Sequence, residues 1–171
     1  MPLLKREPDL FPEGLFDLPV ESHPWWVAHV KSRQEKALAR HLQPLGIPYY
    51  LPQREQKIRR AGRNFVSFLP LFPGYLFFRG TDDDRYAAHR SKLVAQVIEV
   101  VDQPLLDAEL GRLRTLQESG LPLVSHPYIE PGSAVSISML RTSFTVELDR
   151  EALALLAARV GRFGRISRRA A

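Results

Sequence analysis

The side chains that could perform catalysis are few and scattered along the chain. None of the 171 residues is a cysteine, which excludes a thiolate metal site and a cysteine nucleophile. No two of the five histidines have the spacing of a metal-ligand pair: His23, His29, His41, His89 and His126. Glycine-rich phosphate loops, nucleophile elbows and the His-Glu-x-x-His pattern are absent as well. We therefore expect no catalytic site, no metal site and no cofactor.

Three consecutive aspartates, Asp82 to Asp84, form an acidic run that could hold Mg²⁺ in a hydrolase. Mg²⁺ sites usually recruit substrate phosphates or distant carboxylates as well. Acidic side chains are also favourable at the positive amino-terminal end of a helix. We favour a helix start at this run, and a metal-dependent hydrolase is the weaker alternative.

Basic residues are concentrated in two places on a chain of net charge +5. Residues 31–63 carry nine basic and two acidic side chains, a local charge of +7. The nine are Lys31, Arg33, Lys36, Arg40, Arg54, Lys57, Arg59, Arg60 and Arg63. Residues 159–171 add five arginines and no acid. Such patches favour contact with a polyanion, and ordinary solvated surface is the alternative for both.

The spacing of apolar residues predicts strands and helices that would position these groups. Strands are expected at residues 25–30, 47–52, 65–69, 75–78 and 93–101, with an arm over 53–70 that turns at 61–64. A first helix should begin with a capping box between Ser32 and Glu35 and end at Gly46. A second helix should begin at Asp82, and Asp107 should cap a third. This order predicts an α+β fold, one antiparallel sheet backed by helices.

Five segments are expected along the chain. They are a proline-rich extension without regular structure (1–24), the main domain (25–118), a linker (119–133), a short segment of two strands and an apolar helix (134–160), and a basic tail (161–171). No apolar run approaches the ~20 residues of a membrane helix. The amino terminus lacks the apolar core of a secretory signal. We expect a soluble, cytoplasmic protein without membrane contact.

Residues 70–78 form the most distinctive segment, in which prolines and a glycine alternate with aromatic residues. Strand alternation places Tyr75 and Phe77 on one face and Leu76 and Phe78 on the other. Rigid aromatic side chains are typical anchors of protein interfaces. We therefore expect Tyr75 and Phe77 to face a partner, with Leu76 and Phe78 facing the core.

Five pieces of this sequence, taken in order, resemble the amino-terminal domain of the NusG family. They are Trp25-Trp26-Val27, Lys31-x-Arg33-Gln34-Glu35-Lys36, Tyr50-Leu51-Pro52, Gly62-Arg63 and Pro70-Leu71-Phe72-Pro73-Gly74-Tyr75-Leu76-Phe77. The Pro-Leu-Phe-Pro form is most similar to specialised paralogues of the RfaH type. The resemblance covers about residues 25–118. It implies an α+β sandwich and a non-enzymatic transcription elongation or antitermination factor.

The resemblance also implies the partners and their sites. An aromatic pocket would receive the tip of the clamp helices of bacterial RNA polymerase and so modulate processivity and pausing or termination. The matching positions are Phe72, Pro73, Tyr75 and Phe77, with His29 where the paralogues place an aromatic residue. Upstream or non-template DNA would contact Lys31, Arg33, Lys36, Arg40, Arg90 and Lys92. The alternative function is a free-standing nucleic-acid-binding module that uses the basic helix face and the arginine tail.

Beyond residue 119 the sequence departs from the family, whose members end in a five-stranded KOW barrel. Residues 131–132 resemble the opening of that barrel, and residues 135–140 and 144–149 resemble its last strands. The hairpins between them are missing, and two strands cannot close a barrel. We expect a shortened KOW-like remnant, which leaves recruitment of Rho or the ribosome open.

Overall fold

The computed structural model describes residues 6–120 and the backbone of three later strands, Ser125–His126, Ala134–Ser136 and Thr145–Glu147. The chain divides into two units, residues 1–111 and 112–171. Within the described residues, no helix is both long and apolar enough to cross a membrane.

The elements up to residue 120 alternate between strands and helices. The strands are β1 Leu10–Phe11, β2 Trp25–Val30, β3 Tyr49–Tyr50, β4 Gln53–Arg60, β5 Arg63–Pro70, β6 Tyr75–Arg79 and β7 Val94–Glu99. The helices are α1 Glu35–Leu42, α2 Asp82–Arg90 and α3 Gln103–Glu118. Five strands form an antiparallel sheet in the order β1-β3-β6-β2-β7, and β4 and β5 form a separate hairpin. The predicted α+β fold with an antiparallel sheet is confirmed.

One face of the five-stranded sheet carries the core that includes α1 and α2. The buried cluster there is Ala28, Val30, Leu38, Ala39, Leu42, Ile47, Tyr49, Leu51, Leu76, Phe78, Ala88 and Val94. Leu76 and Phe78 therefore face the core, as predicted. Burying each large apolar side chain contributes roughly 1.5–3 kcal/mol. Burial also raises the pKa of the Tyr49 phenol to about 12, so this ring is neutral in the core at ordinary pH.

The opposite face of the sheet is closed at one end by Arg79, which is fully buried. Its Nε donates to the His23 carbonyl at 2.9 Å, and its Nη1 donates to the Leu15 carbonyl at 3.0 Å. The guanidinium lies 4.9 Å from the centre of the Trp25 ring and 3.5 Å from an Asp107 carboxylate oxygen. Arg79 therefore connects β6 with the amino-terminal segment and with the start of α3.

Two effects act on the pKa of Arg79 in opposite directions. Desolvation lowers the pKa of Arg79, and the negative charge of Asp107 opposes that shift. The Trp25 indole N–H donates to the same carboxylate at 2.8 Å. The Asp107 carboxylate therefore binds two residues of the sheet, Trp25 and Arg79.

Three local predictions are wrong. The extension is not without regular structure, because β1 pairs with β3 and Leu15–Asp17 forms a 3-10 turn. Helix α3 begins at Gln103 rather than at Asp107, and the Asp102 carboxylate accepts from the Leu105 N–H at 3.0 Å. Helix α1 begins at Glu35 without a side-chain cap, so the expected capping box with Ser32 is not formed.

Two helix boundaries are confirmed. Gly46 has a left-handed backbone, with φ of 71°, after the short 3-10 turn that continues α1. The aspartate run begins α2, where Thr81 and Asp84 form a reciprocal capping box. The acidic run therefore has the structural role expected of a helix start.

In the second unit the described backbone forms a three-stranded antiparallel sheet. Its strands are β8 Ser125–His126, β9 Ala134–Ser136 and β10 Thr145–Glu147, in the order β8-β10-β9. The two strands predicted there correspond to β9 and β10, and β8 lies inside the predicted linker. The predicted helix near residues 153–160 and the arginine tail lie outside the described residues.

Replacing Arg79 with Met should destabilise the fold by about 3–5 kcal/mol, because two carbonyls and the Asp107 charge lose their partner. Urea unfolding measures this loss, and limited proteolysis should show faster cleavage within residues 6–24. Asp107→Asn, which keeps an acceptor for Trp25, should cost less. An Arg79→Met variant as stable and as protease-resistant as the parent would contradict this role.

Candidate functional site

A tight turn at Gly74 joins the β4–β5 hairpin to β6. The Gly74 N–H donates to the Glu35 carboxylate at 2.7 Å, and the Gly74 carbonyl accepts from the Val30 N–H at 2.8 Å. The backbone of Gly74 has φ of 86°, a left-handed conformation that favours glycine. These contacts fix the turn to the start of α1 and to the end of β2.

The Glu35 side chain is buried, with 7% of the residue exposed. A hydrogen bond from an amide to an ionised carboxylate is stronger than a neutral one, and low surrounding dielectric strengthens it further. The carboxylate that the capping box would turn back towards Ser32 thus accepts from Gly74, and helix α1 begins only at Glu35.

Beside this turn the rings of Tyr75 and His29 are stacked, with centroids 5.1 Å apart and planes inclined by 27°. The two residues are opposite each other in the pairing of β6 with β2, and Gln96 of β7 is opposite His29. His29 and Gln96 are exposed, and Tyr75 is half-buried. We call Tyr75, His29 and Gln96 the aromatic row. It lies at the other end of β2 and β6 from Trp25 and Arg79.

The predicted nucleic-acid residues fall into two groups. In the first group, the side chains are engaged within the fold. The Lys36 ammonium donates to the Phe68 carbonyl at 2.6 Å, and burial lowers the pKa of Lys36. Arg40 pairs with Glu7 at 2.6 Å. These two cations attach α1 to the hairpin and to the amino-terminal segment.

The second group consists of four exposed cations: Lys31 and Arg33 follow β2, Arg90 is the last residue of α2, and Lys92 follows α2. The Lys31 ammonium donates to the Lys92 carbonyl at 2.6 Å, and the Lys31 N–H donates to the Leu93 carbonyl at 2.9 Å. Arg33 and Lys92 both have left-handed backbones, with φ of 60° and 62°. Such strain at non-glycine residues costs of order 1–3 kcal/mol each and is concentrated at functional sites.

A metal site is not formed by the described residues, which contain no group of three or more His, Asp or Glu side chains able to hold an ion. Asp84, the third residue of the acidic run, instead accepts hydrogen bonds from the N–H and the hydroxyl of Thr81.

Comparison with protein families identifies the domain that carries these features. The family model NusG, described as transcription termination factor nusG, matches residues 23–114, more than half of the 171-residue chain. The chain belongs to the NusG family. It is therefore a transcription-related factor. No curated protein sequence matches it significantly.

The range matched by the NusG model contains all five residues expected at the polymerase site, but they are not equally accessible. Pro73 and His29 are exposed and Tyr75 is half-buried. Phe77 is fully buried and Phe72 is 2% exposed, with the two rings packed edge to face at 5.5 Å. The prediction that Phe77 faces a partner is therefore wrong. Phe77 shares the face of Tyr75, but it is opposite the buried Val27, where that face is covered.

Two residues of the candidate site were missed from the sequence. Gln96 could have been found by extending the strand register from His29 to β7. Glu35 could not, because its spacing from Ser32 fits a capping box equally well.

Replacing Glu35 with Ala should lower the free energy of unfolding by about 1–3 kcal/mol, since the Gly74 N–H loses its acceptor. Hydrogen exchange should rise most at the amides of Gly74 and Tyr75. Glu35→Gln, whose side-chain carbonyl can still accept, should restore most of the protection. Unchanged exchange at Gly74 and Tyr75 in Glu35→Ala would show that the carboxylate does not hold the turn.

Proposed function

We propose that this NusG-family protein is a transcription elongation or antitermination factor that binds the clamp helices of bacterial RNA polymerase. Tyr75, His29 and Pro73 would contact the clamp, and Phe72 and Phe77 would support them from beneath. The observation that carries the proposal is the stacked Tyr75–His29 pair, which reaches the surface beside the Gly74 turn within the family-matched range.

The geometry suits the recognition of an apolar helical tip. A stacked pair of rings buries a large area on binding and loses little conformational entropy, since its side chains are already ordered. The hydrogen bonds at Gly74 limit motion of the backbone next to Tyr75. Binding energy is therefore not spent on ordering this part of the surface.

The DNA contact would be made by four exposed cations: Lys31, Arg33, Arg90 and Lys92. The bond between Lys31 and the Lys92 carbonyl joins the segment after β2 to the end of α2, so the four charges can approach one stretch of upstream or non-template DNA. Lys36 and Arg40 would act indirectly, through the contacts that hold the hairpin and the amino-terminal segment.

In this proposal the protein is one of the specialised paralogues of the RfaH type, an assignment that the Pro-Leu-Phe-Pro sequence supports. The second unit would be a shortened KOW-like remnant, of which β8, β9 and β10 are described. Recruitment of Rho or the ribosome is not part of the proposal.

Tyr75→Ala should weaken binding to purified bacterial RNA polymerase by about 30-fold or more, the loss of about 2 kcal/mol that defines an interface hot spot. Tyr75→Phe, which keeps the ring, should bind nearly as well as the parent. Tyr86→Ala is the matched control, because Tyr86 is 65% exposed on α2, the helix whose Ala88 packs in the core with Leu76 and Phe78 on the other face of the sheet from Tyr75. Pull-downs at moderate and high salt measure the binding.

Polymerase binding that is equal in the parent and in Tyr75→Ala would contradict the aromatic site. Binding that disappears at high salt in all variants alike would favour the free-standing nucleic-acid module instead. Circular dichroism and thermal melting establish that each variant is folded.

A further inference from the structure

The β4–β5 hairpin forms a two-stranded sheet that is separate from the five-stranded sheet. Its strands are eight residues each and pair without interruption from Gln53 opposite Pro70 to Arg60 opposite Arg63. At ~3.3 Å per residue each strand is about 26 Å long. Ala61 and Gly62 both have positive φ, which matches the right-handed twist of a two-residue hairpin turn.

The hairpin is strongly positive. It carries five basic side chains and one acid, Glu55, which gives a net charge of +4. All five basic side chains are exposed, and within residues 6–120 none of them belongs to an ion pair: Arg54, Lys57, Arg59, Arg60 and Arg63. Strand alternation places three of them on one face of the ribbon and Lys57 and Arg59 on the other.

The base of the hairpin is held firmly by the main domain. The Lys36 ammonium donates to the Phe68 carbonyl at 2.6 Å, and the Arg6 guanidinium lies 4.9 Å from the centre of the Phe68 ring. The Leu71 N–H donates to the Pro52 carbonyl at 2.7 Å, where the hairpin begins and ends. A fixed base with a charged tip presents the cations in a defined direction.

The positive surface continues from the hairpin onto α1. An open groove of about 510 Å³ lies between them, with Arg54 on the hairpin side and Arg33 and Arg40 on the α1 side. Its floor includes Leu69, Pro70 and Pro73. Arg33 and Arg54 are exposed, so the charges of the hairpin and of the exposed loops form one track.

The aromatic side chains of the hairpin argue against a single strand as the ligand. Proteins that bind single strands stack bases on exposed aromatic rings. Here Phe65 is half-buried opposite Ile58, and Phe68 is half-buried beneath Arg6. A duplex offers one phosphate charge per ~1.7 Å of helix axis, and its major groove admits a two-stranded ribbon.

We propose that the β4–β5 hairpin binds double-stranded DNA through its backbone phosphates. This contact does not use the aromatic row, it continues through the groove to Arg33, and it requires no polymerase. Cations on both faces of the ribbon would contact phosphates on either side of a groove, with the arginines next to the turn entering deepest.

The test uses the full chain and a fluorescent 20-base-pair DNA duplex, with affinity measured from 50 to 200 mM salt. Substituting Lys57, Arg59, Arg60 and Arg63 with Gln should reduce the slope of log affinity against log salt by about 3–4, since each phosphate contact contributes about 0.9. Affinity should fall more than tenfold at low salt. Substituting Arg59, Arg60 and Arg63 with Lys is the matched control, which preserves charge and should preserve the slope.

Three results would overturn the proposal. One is an unchanged salt slope in the Gln variant. Another is tighter binding of a single-stranded DNA or RNA of the same length than of the duplex. The third is loss of binding in Phe65→Leu, which keeps an apolar side chain in the hairpin but removes the ring, so that the loss would indicate base stacking. Tyr75→Ala should bind the duplex as tightly as the parent does. The duplex-binding assay therefore tests the hairpin proposal separately from the proposed polymerase contact.

Discussion

The hydrogen bond from the Gly74 N–H to the buried Glu35 carboxylate is the interaction on which the candidate site depends. A buried carboxylate must be satisfied by donors, and this one takes a backbone donor from a segment 39 residues away in sequence. The carbonyl of the same glycine accepts from Val30, so α1, β2 and β6 meet at a single residue. Tyr75 follows directly, opposite His29, and its position is therefore determined by the helix start as well as by the sheet.

A second constraint divides one face of the sheet into a closed end and an open end. Buried Arg79 holds the amino-terminal segment and Asp107 over the end that contains Trp25. Four residues along the same strands, Tyr75 and His29 reach the surface. The amino-terminal segment and Asp107 therefore cover one end of this apolar face, and the aromatic pair at the other end stays exposed. An exposed aromatic pair of this kind is suited to binding a partner.

The sequence predicted those elements whose determinants are local. The aromatic and β-branched run at 25–30, the glycine at position 46 and the acidic run that begins α2 act through neighbours in the chain. Determinants that depend on tertiary contacts were missed. Alternation assigned Phe77 to the correct face but could not show what covers it. An arginine at a strand end is typical of a surface, so the burial of Arg79 was not foreseen. Asp107 fits a helix cap by type, yet its partners are Trp25 and Arg79.

The most direct test of the account is to replace Tyr75 with the photo-crosslinking amino acid p-benzoylphenylalanine and irradiate the protein bound to bacterial RNA polymerase. The large aromatic side chain preserves the ring at the position proposed to contact the clamp. The same substitution at Tyr86 provides the background. The account predicts a crosslink from position 75 that maps to the clamp helices and exceeds the signal from position 86. Equal signals from the two positions, or a crosslink from position 75 to another part of polymerase, would contradict it.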